Sequence, residues 1–420
     1  MKRRHLLGLG ALGLLGGWAL RPHDRGQAHD AYFAALNRQL QRDSEGAPTL
    51  LLDLDRLDAN ADLLATRLAG RLQLRLVAKS LASTGLLEYL AKHLQTQRFM
   101  VFNQPQLDHL ARNFPQADLL LGKPMPVAAA LNFYRQLPHH LDFAPGRQVT
   151  WLIDSQQRLL HYAELAKALG RPLRIALEID IGLERGGFAT PQALTQALHQ
   201  LRQLPTLQLQ GLMGYDAHVA HNPIWQSQTQ AFNEADARYR QFIASAQAFT
   251  GLWPKEALLN GGGSLTYPLH VQQNSALNEV AVGSALLKPA EFDTPLLQAH
   301  QPGLWIASPV LKAVKGALPY LQPLQPVLEA WNPNRQNAYY LYGGRWPAQP
   351  ISPAGLDYDE LYGRSANQER LIGSRGTQLS TQDWVFLRPA LSEGLLGDFG
   401  EIRLLRRGQL VGRWSTIGNA

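Results

Sequence analysis

A lysine at the end of an apolar run is the first residue of the chain whose placement suggests chemistry. Leu74–Ala78 has the length and composition of a buried strand, and Lys79 follows it directly. Burying an ammonium group costs several kcal/mol unless the group is paired or loses its proton. An uncharged lysine can form a Schiff base with a carbonyl compound, although a lysine at a strand edge can also extend into solvent. Lys79 is therefore a candidate catalytic residue.

Glycine and serine residues follow two later strand-like runs. Gly261, Gly262, Gly263 and Ser264 come directly after Ala257–Asn260. Such a loop exposes backbone N–H groups, which can bind a phosphate, although a triple glycine can also be a plain turn. A second pair of small residues ends the next run and could close the other side of a phosphate site: Gly283 and Ser284.

Polar side chains follow two further runs. Arg185 lies in a glycine-containing turn after Leu173–Ile179, where it could orient an anionic or phenolate oxygen or simply face solvent. Tyr215, His218 and His221 follow the next run, Leu209–Met213. Two histidines three residues apart are a weak metal signal, and acid–base catalysis or packing on a planar cofactor would use the same residue types.

The elements that carry these residues alternate between strand and helix. After a first strand at Thr49–Leu54 and a helix at Asp55–Leu68, eight apolar runs are separated by segments with helical periodicity. This pattern predicts a (β/α)8 TIM-like barrel, in which strand ends on one face form the active site. A doubly wound open sheet is the alternative, but no Gly-x-Gly-x-x-Gly turn follows the first strand. The eight runs are Leu74–Ala78, Phe99–Phe102, Asp118–Leu121, Val149–Ile153, Leu173–Ile179, Leu209–Met213, Ala257–Asn260 and Glu279–Val282.

Changes in composition and periodicity divide the chain into three parts. Past residue 295, proline and glycine become frequent and the helical periodicity fades. We therefore expect an α/β protein with a barrel at 47–295 and a C-terminal β-rich domain at 296–420, which packs with the 31–54 segment. The remaining part, 1–30, is expected to hold an export signal and a linker.

The N-terminus has the features of an export signal. Lys2, Arg3 and Arg4 precede an apolar run at 6–20, which is shorter than the roughly 20 residues that cross a bilayer. The arginine pair resembles a twin-arginine signal, and an ordinary secretory signal or an uncleaved anchor is the alternative. The expected location is periplasmic or exported, with a membrane tether if the signal is not cleaved.

Composition excludes several classes of function. The net charge is +7, but residues 47–400 contribute only +1 of it, from 29 basic and 28 acidic residues. No internal basic stripe could follow a phosphate backbone, so we expect no nucleic-acid partner. The chain has no cysteine, which excludes disulfides, thiolate metal sites and cysteine nucleophiles. No paired-carboxylate or metal constellation supports an unrelated barrel hydrolase.

A lysine after the first barrel strand and a phosphate loop after the seventh would meet at one barrel face, and together they describe a pyridoxal-phosphate site. On these residues the chain resembles the fold-type III pyridoxal-phosphate enzymes, in particular the D-threonine aldolase and D-serine dehydratase-like group, with a barrel like the alanine racemase N-terminal domain. The stretches that carry the resemblance are Pro48–Asn60, Val77–Lys79, Asp180–Gly187, Gly214–His218, Gly261–Ser264 and Asn278–Ser284.

The resemblance implies roles for these residues. It implies that Lys79 binds pyridoxal 5'-phosphate through a Schiff base and moves a proton at the substrate Cα, and that Arg185 faces the cofactor ring. It further implies an amino-acid substrate and a homodimer. The expected catalytic residues are Lys79, His218 and Tyr215; the expected cofactor-binding residues are Lys79, Arg185, Tyr215, Gly261, Gly262, Gly263, Ser264, Gly283 and Ser284.

The chain departs from the group in its C-terminal part. Members of the group carry a metal site with a His-x-Cys or His-x-Asp pair after a proline, whereas here Pro389 is followed by Ala-Leu-Ser-Glu. We therefore expect no metal ligand, and Glu369, Glu393 or Arg388 is a candidate for a different substrate pocket. The expected activity is a lyase reaction at the Cα of a D-amino acid. The alternatives are a racemase, with Tyr215, His218 or Tyr342 as second base, and a non-catalytic cofactor-binding protein.

Overall fold

Two compact units make up the chain in the computed structural model, which describes residues 21–43, 45–138, 140–318 and 320–418. The barrel unit comprises Leu54–Gly303, Leu391–Ile402 and Arg413–Ala420. The sheet unit comprises Met1–Asp53, Leu304–Ala390 and Arg403–Gly412. The expected export signal falls on residues 1–20, outside the described residues, and the domain boundaries at 47–295 and 296–420 stay predictions.

The barrel unit contains a closed barrel of eight parallel strands with helices between them, which confirms the predicted fold class. The strands are Gln73–Val77, Arg98–Val101, Asp118–Leu121, Val149–Ile153, Leu173–Glu178, Leu207–Gly214, Leu258–Gly261 and Glu279–Val282. The helices are Leu54–Leu68, Thr84–His93, Gln104–Asn113, Val127–Gln136, Pro145–Gln148, Gln156–Leu169, Pro191–Leu201, Ala217–Ala220, Gln228–Gln247, Tyr267–Gln272 and Ser284–Leu287.

Local sequence explains why the barrel helices begin where they do. At the start of five of them a side-chain oxygen accepts the backbone N–H three residues on, which satisfies one donor that the helix leaves unpaired. Each such cap contributes about 0.5–2 kcal/mol. The capping residues are Ser83, Asn103, Ser155, Thr190 and Ser227.

The first and last strands of the barrel pair in parallel and close it, with Leu76 opposite Val282. At the N-terminal end of this pair, the fully buried guanidinium of Arg75 donates to both oxygens of Glu279, at 2.6 and 3.0 Å. Arg98 and the Asn260 amide also donate to Glu279. Because a buried carboxylate is tolerated only when it is paired, these contacts tie the closing strands together.

The sheet unit is built on a nine-stranded sheet. Its central strand, Leu304–Lys315, pairs antiparallel with three others, and the helix Ala31–Asp43 packs Phe33 and Leu40 onto the core around Trp305 and Phe386. A short helix, Gln325–Trp331, also lies in this unit. The sheet has nine strands, of which the last two lie only partly within this unit: Thr49–Asp53, Leu304–Lys315, Asn337–Leu341, Ala348–Ser352, Asp357–Tyr358, Arg370–Gly373, Trp384–Pro389, Glu401–Arg406 and Gln409–Ser415.

None of the helices within the described residues is both long and apolar enough to cross a membrane.

Removing Arg75 should destabilise the barrel unit strongly. We expect Arg75→Leu to lower the free energy of unfolding by about 3–5 kcal/mol, because Glu279 stays buried without its main counter-charge. The double variant Arg75→Leu/Glu279→Leu should recover most of this loss. Denaturant unfolding checks both, with the exposed Arg202→Leu as control. A loss no larger than that of Arg202→Leu would contradict the role of the pair.

Candidate active site

A cavity of about 530 Å³ opens within the barrel unit among the carboxyl ends of the strands. Nine of the ten predicted site residues line it, although they are spread over more than 200 positions of the sequence. The structure therefore brings the predicted catalytic lysine and the predicted phosphate loop to one cavity. The nine are Lys79, Arg185, Tyr215, Gly261, Gly262, Gly263, Ser264, Gly283 and Ser284.

Lys79 reaches this cavity because the first barrel strand ends in a single 3-10 turn, Ala78–Ser80. Its Nζ lies 3.0 Å from Oε2 of Glu393 and 4.6 Å from the centroid of the Phe102 ring. The Ser80 hydroxyl donates to the other oxygen of Glu393, at 2.9 Å. The amine thus lies between a carboxylate and an aromatic face, and about a third of each charged side chain is exposed.

Close packing requires glycine in the loop after the seventh barrel strand and at the end of the eighth. Gly262 has a φ of +63°, which favours glycine. A Cβ on Gly263 would lie 3.0 Å from the Tyr215 ring, and one on Gly283 would lie 2.8 Å from the Cβ of Ser80. A larger residue at either position would therefore displace Tyr215 or Ser80.

Ser264 joins the two glycine loops. Its Oγ accepts the backbone N–H groups of Gly283 and Ala285, both at 3.1 Å. In the part of the chain that the structure describes, the backbone N–H groups of Ser264, Leu265 and Ser284 have no acceptor, and all three residues line the cavity. Unpaired N–H groups that converge from two loops form a suitable site for a phosphate. The residues present therefore fit pyridoxal phosphate.

A chain of buried hydrogen bonds supports the loop that contains Gly263. The Gly263 N–H donates to the Thr266 hydroxyl at 3.0 Å, and that hydroxyl donates to Asp216 at 2.8 Å. The other Asp216 oxygen lies 2.8 Å from Nε2 of His270, whose Nδ1 lies 2.8 Å from the Ser275 hydroxyl. These supporting residues were not predicted from the sequence. Thr266 could have been identified from its position three residues after Gly263, where its hydroxyl can accept the Gly263 N–H. His270 and Asp216, by contrast, come together only in the folded chain.

Arg185 and Tyr215 lie together in the cavity. The guanidinium carbon of Arg185 is 5.0 Å from the centroid of the Tyr215 ring, within cation–π range. The Asp180 carboxylate accepts the N–H groups of Gly182 and Glu184 and so shapes the turn that carries Arg185. Burial and then the Asp216 charge raise the pKa of Tyr215, against the opposing charge of Arg185, so Tyr215 is a neutral phenol at neutral pH.

Glu178 is a cavity residue to which the sequence analysis assigned no role. It ends the fifth barrel strand and lines the cavity with Asp154 and Arg185. Burial is the main cause that raises the pKa of Glu178 to about 7, the Asp154 charge adds to it, and Arg185 opposes it. A carboxyl group that titrates near neutral pH inside a cavity is typical of functional sites.

His218 is the predicted site residue that does not line the cavity. It lies in the short helix Ala217–Ala220, and a Cβ on Gly182 would come within 3.0 Å of its Nε2. Burial lowers the pKa of His218, which makes the imidazole neutral near pH 7. Its catalytic role stays a prediction.

The two glutamates that were candidates for a substrate pocket belong to different units. Glu393 belongs to the barrel unit and lines the cavity. Glu369 belongs to the sheet unit, where it is buried and accepts from Nε of Arg364 and from the N–H of Arg345. Within the described ranges, no group of three or more His, Asp or Glu side chains is placed to hold a metal ion.

Replacing Glu178 should change how stability depends on pH. A carboxyl with a folded pKa of about 7 and an ordinary value of 4.5 loses stabilisation as pH rises through this window. The full shift corresponds to about 3 kcal/mol, which contact with water reduces to on the order of 1–2 kcal/mol.

We therefore expect cofactor-free Glu178→Gln to match the unsubstituted protein near pH 4.5 and to gain Tm relative to it up to pH 8. Melting curves across this range check the effect, with exposed Glu184→Gln as control. A Tm difference that does not vary with pH would contradict the raised pKa.

Comparison with known proteins was made by sequence and by fold. Residues 52–290, more than half of the chain, match the family model described as alanine racemase, N-terminal domain. The chain is 26% identical over 176 residues to 3-hydroxy-D-aspartate aldolase of Paracoccus denitrificans (strain Pd 1222), covering 42% of this chain and 43% of that protein. It is 27% identical over 129 residues to alanine racemase of Limosilactobacillus fermentum (strain NBRC 3956 / LMG 18251), covering 28% and 34%.

Both curated relatives are matched over less than half of their own length. Among solved structures, D-threonine aldolase from Filomicrobium marinum superposes with a TM-score of 0.71 over 88% of this chain and 96% of that one. At 15% sequence identity this likeness concerns the fold alone. The family match, by contrast, spans every barrel strand and the residues that line the cavity except Phe292 and Glu393. The chain belongs to the alanine racemase N-terminal-domain family, the fold-type III family of pyridoxal-phosphate enzymes.

Proposed function

We propose that this protein is a pyridoxal-phosphate-dependent lyase that acts at the Cα of a D-amino acid, of the D-threonine aldolase and D-serine dehydratase-like type, and that it works without a metal. The observation that carries the proposal is the convergence of Lys79 and the loop 261–264 on one cavity. The relative named 3-hydroxy-D-aspartate aldolase supports the lyase assignment. The absence of histidine and cysteine after Pro389 supports a metal-free reaction.

Bound pyridoxal phosphate would supply an electron sink for the pair left when a bond at the substrate Cα breaks. Lys79 would hold the cofactor covalently and would move a proton at Cα. The N–H groups of Ser264, Leu265 and Ser284 bind the phosphate, and the Thr266–Asp216–His270 chain holds the loop rigid.

The remaining cavity residues orient groups and exclude water. Arg185, held against Tyr215, binds an anionic oxygen of the cofactor or the substrate. Phe102 lies against the Lys79 amine and shields part of it from water. Glu178 shares its environment with Asp154 and Arg185, so the protonation of Glu178 adjusts the charge beside Arg185.

A racemase is the second candidate function. Racemisation needs a second proton-transferring group beside Lys79, and Tyr215 lines the same cavity. The relative named alanine racemase supports this candidate. A non-catalytic cofactor-binding protein would use the same lysine and phosphate loop.

The N-terminal sequence suggests where the protein is located. The Arg3-Arg4 pair and the apolar run at 6–20 support export by the twin-arginine route, which carries folded proteins and suits an enzyme that acquires its cofactor first. We propose a periplasmic or exported homodimer on this basis and on the family resemblance.

The covalent link to Lys79 can be tested by absorbance. We expect purified protein to show a visible cofactor band that borohydride removes while fixing the cofactor to the Lys79 peptide, as mass spectrometry would detect. Lys79→Ala should lack the band. Lys123→Ala is the matched control, because Lys123 lines the same cavity and should leave the band intact. No band after incubation with pyridoxal phosphate would refute the proposed function.

The support of the phosphate loop can be tested with Thr266→Val. This change removes the hydroxyl that accepts from Gly263 and donates to Asp216, a loss of about 1–3 kcal/mol. We expect pyridoxal phosphate to bind roughly 10- to 100-fold more weakly, and pyridoxal to be affected much less. Thr195→Val, in a helix, is the control. Equal weakening of both ligands would show that the loop does not bind the phosphate.

A further inference from the structure

Glu393 has no role in the function proposed so far, although it contacts the lysine on which that function depends. Its Oε2 lies 3.0 Å from Nζ of Lys79, and its Oε1 accepts from the Ser80 hydroxyl at 2.9 Å. Ser80 therefore holds the carboxylate in place whatever the charge of the amine. Both side chains line the cavity, so Glu393 can be reached by a molecule bound there.

The segment that carries Glu393 is firmly attached to the barrel. Ser392, Leu395 and Leu396 are buried. The Thr416 N–H donates to Gly400 O at 2.9 Å, which joins the segment to the C-terminal residues.

Those C-terminal residues are in turn bound just after Lys79. The Ile417 N–H donates to Ala82 O at 2.8 Å, and Ser83 pairs with Thr416. Trp414 packs against Tyr89, with ring centroids 5.5 Å apart. The carboxylate is thus positioned by the same turn that positions the amine.

Distance defines what Glu393 could contact in a bound substrate. A group that exchanges a proton with Lys79 lies within about 3 Å of its Nζ. The carboxylate lies equally close to Nζ, so Cα and Oε2 would be at most about 6 Å apart. In a β-hydroxy amino acid, the hydroxyl oxygen is two bonds from Cα and can lie between them.

Resting on the proposed lyase function, we propose that Glu393 and Lys79 form an acid–base relay that carries the proton of the substrate β-hydroxyl to Cα, and so takes the place of a metal. The Glu393 carboxylate accepts the hydroxyl proton while the C–O bond becomes C=O and the Cα–Cβ bond breaks. The electron pair of that bond remains at Cα. Lys79 then gives a proton to Cα, and protonated Glu393 returns one to the Lys79 amine.

The atoms, protons and electrons of this step balance with the groups that line the cavity. The substrate loses an aldehyde, and its hydroxyl hydrogen is replaced by one new hydrogen at Cα. Glu393 ends as a carboxylate and Lys79 recovers its proton, so no oxidant, reductant or metal is consumed. The contact between Glu393 and Lys79 is the part of the structure that makes this return possible.

The test compares Glu393→Gln with Glu88→Gln, an exposed carboxyl in the same unit, and with Glu393→Asp. In Glu393→Gln we expect a normal visible cofactor band, normal affinity for D-alanine from the shift of that band, and normal exchange of its Cα hydrogen with deuterium by NMR. Cleavage of D-threonine-type substrates at saturation should fall roughly 100- to 10,000-fold. Glu393→Asp should regain part of it, Glu88→Gln should match the unsubstituted protein, and EDTA should have no effect on cleavage.

The possible outcomes separate the two proposals. A missing band in the unsubstituted protein refutes the proposed function. A normal band, with cleavage in Glu393→Gln within threefold of the unsubstituted protein, refutes the relay alone. Loss of cleavage together with loss of D-alanine exchange also refutes the relay, because it would show that Glu393 only positions Lys79. Inhibition by EDTA, restored by a divalent metal, would likewise overturn it.

Discussion

The pairing of the first and last barrel strands is the constraint on which the site depends. Parallel pairing of Gln73–Val77 with Glu279–Val282 places the turn after residue 77 beside the turn after residue 282. The turn that carries Lys79 and the loop that carries Gly283 therefore meet, with Gly283 so close to Ser80 that a Cβ would not fit. At the opposite end of the same strands, Arg75 and Glu279 are paired and buried. A polar pair thus joins the strands at one end, and the candidate active-site cavity opens at the other.

Much of the barrel could be predicted because each of its strands is marked by residues that are adjacent in sequence. Each strand is a short apolar run, and all eight were placed to within about two residues of where they lie. The predicted convergence of Lys79 and the glycine loops followed from strand order, since parallel strands end on one face. The strand Leu304–Lys315 and the helix Ala31–Asp43 were not predicted, because their burial depends on partners far away in sequence.

The supporting residues of the site could not be predicted for the same reason. Asp216 and His270 are 54 positions apart, and Glu393 lies more than 300 positions from Lys79. No spacing rule connects such residues; only the folded chain brings a C-terminal carboxylate to the first barrel loop. The raised pKa of Glu178 is similar, because it arises from burial beside Asp154 rather than from the neighbours of Glu178 in sequence.

The contact between Lys79 and Glu393 contributes little to folding. An ion pair whose side chains are each about a third exposed is worth on the order of 0–1 kcal/mol. The segment Leu391–Ile402 is held instead by Leu395 and Leu396 and by backbone bonds through Gly400. Stability and the proposed chemistry therefore depend on different residues of one short segment. The attachment of this segment does not depend on the ion pair. Glu393 could therefore leave Lys79 and contact a substrate group while the segment stays in place.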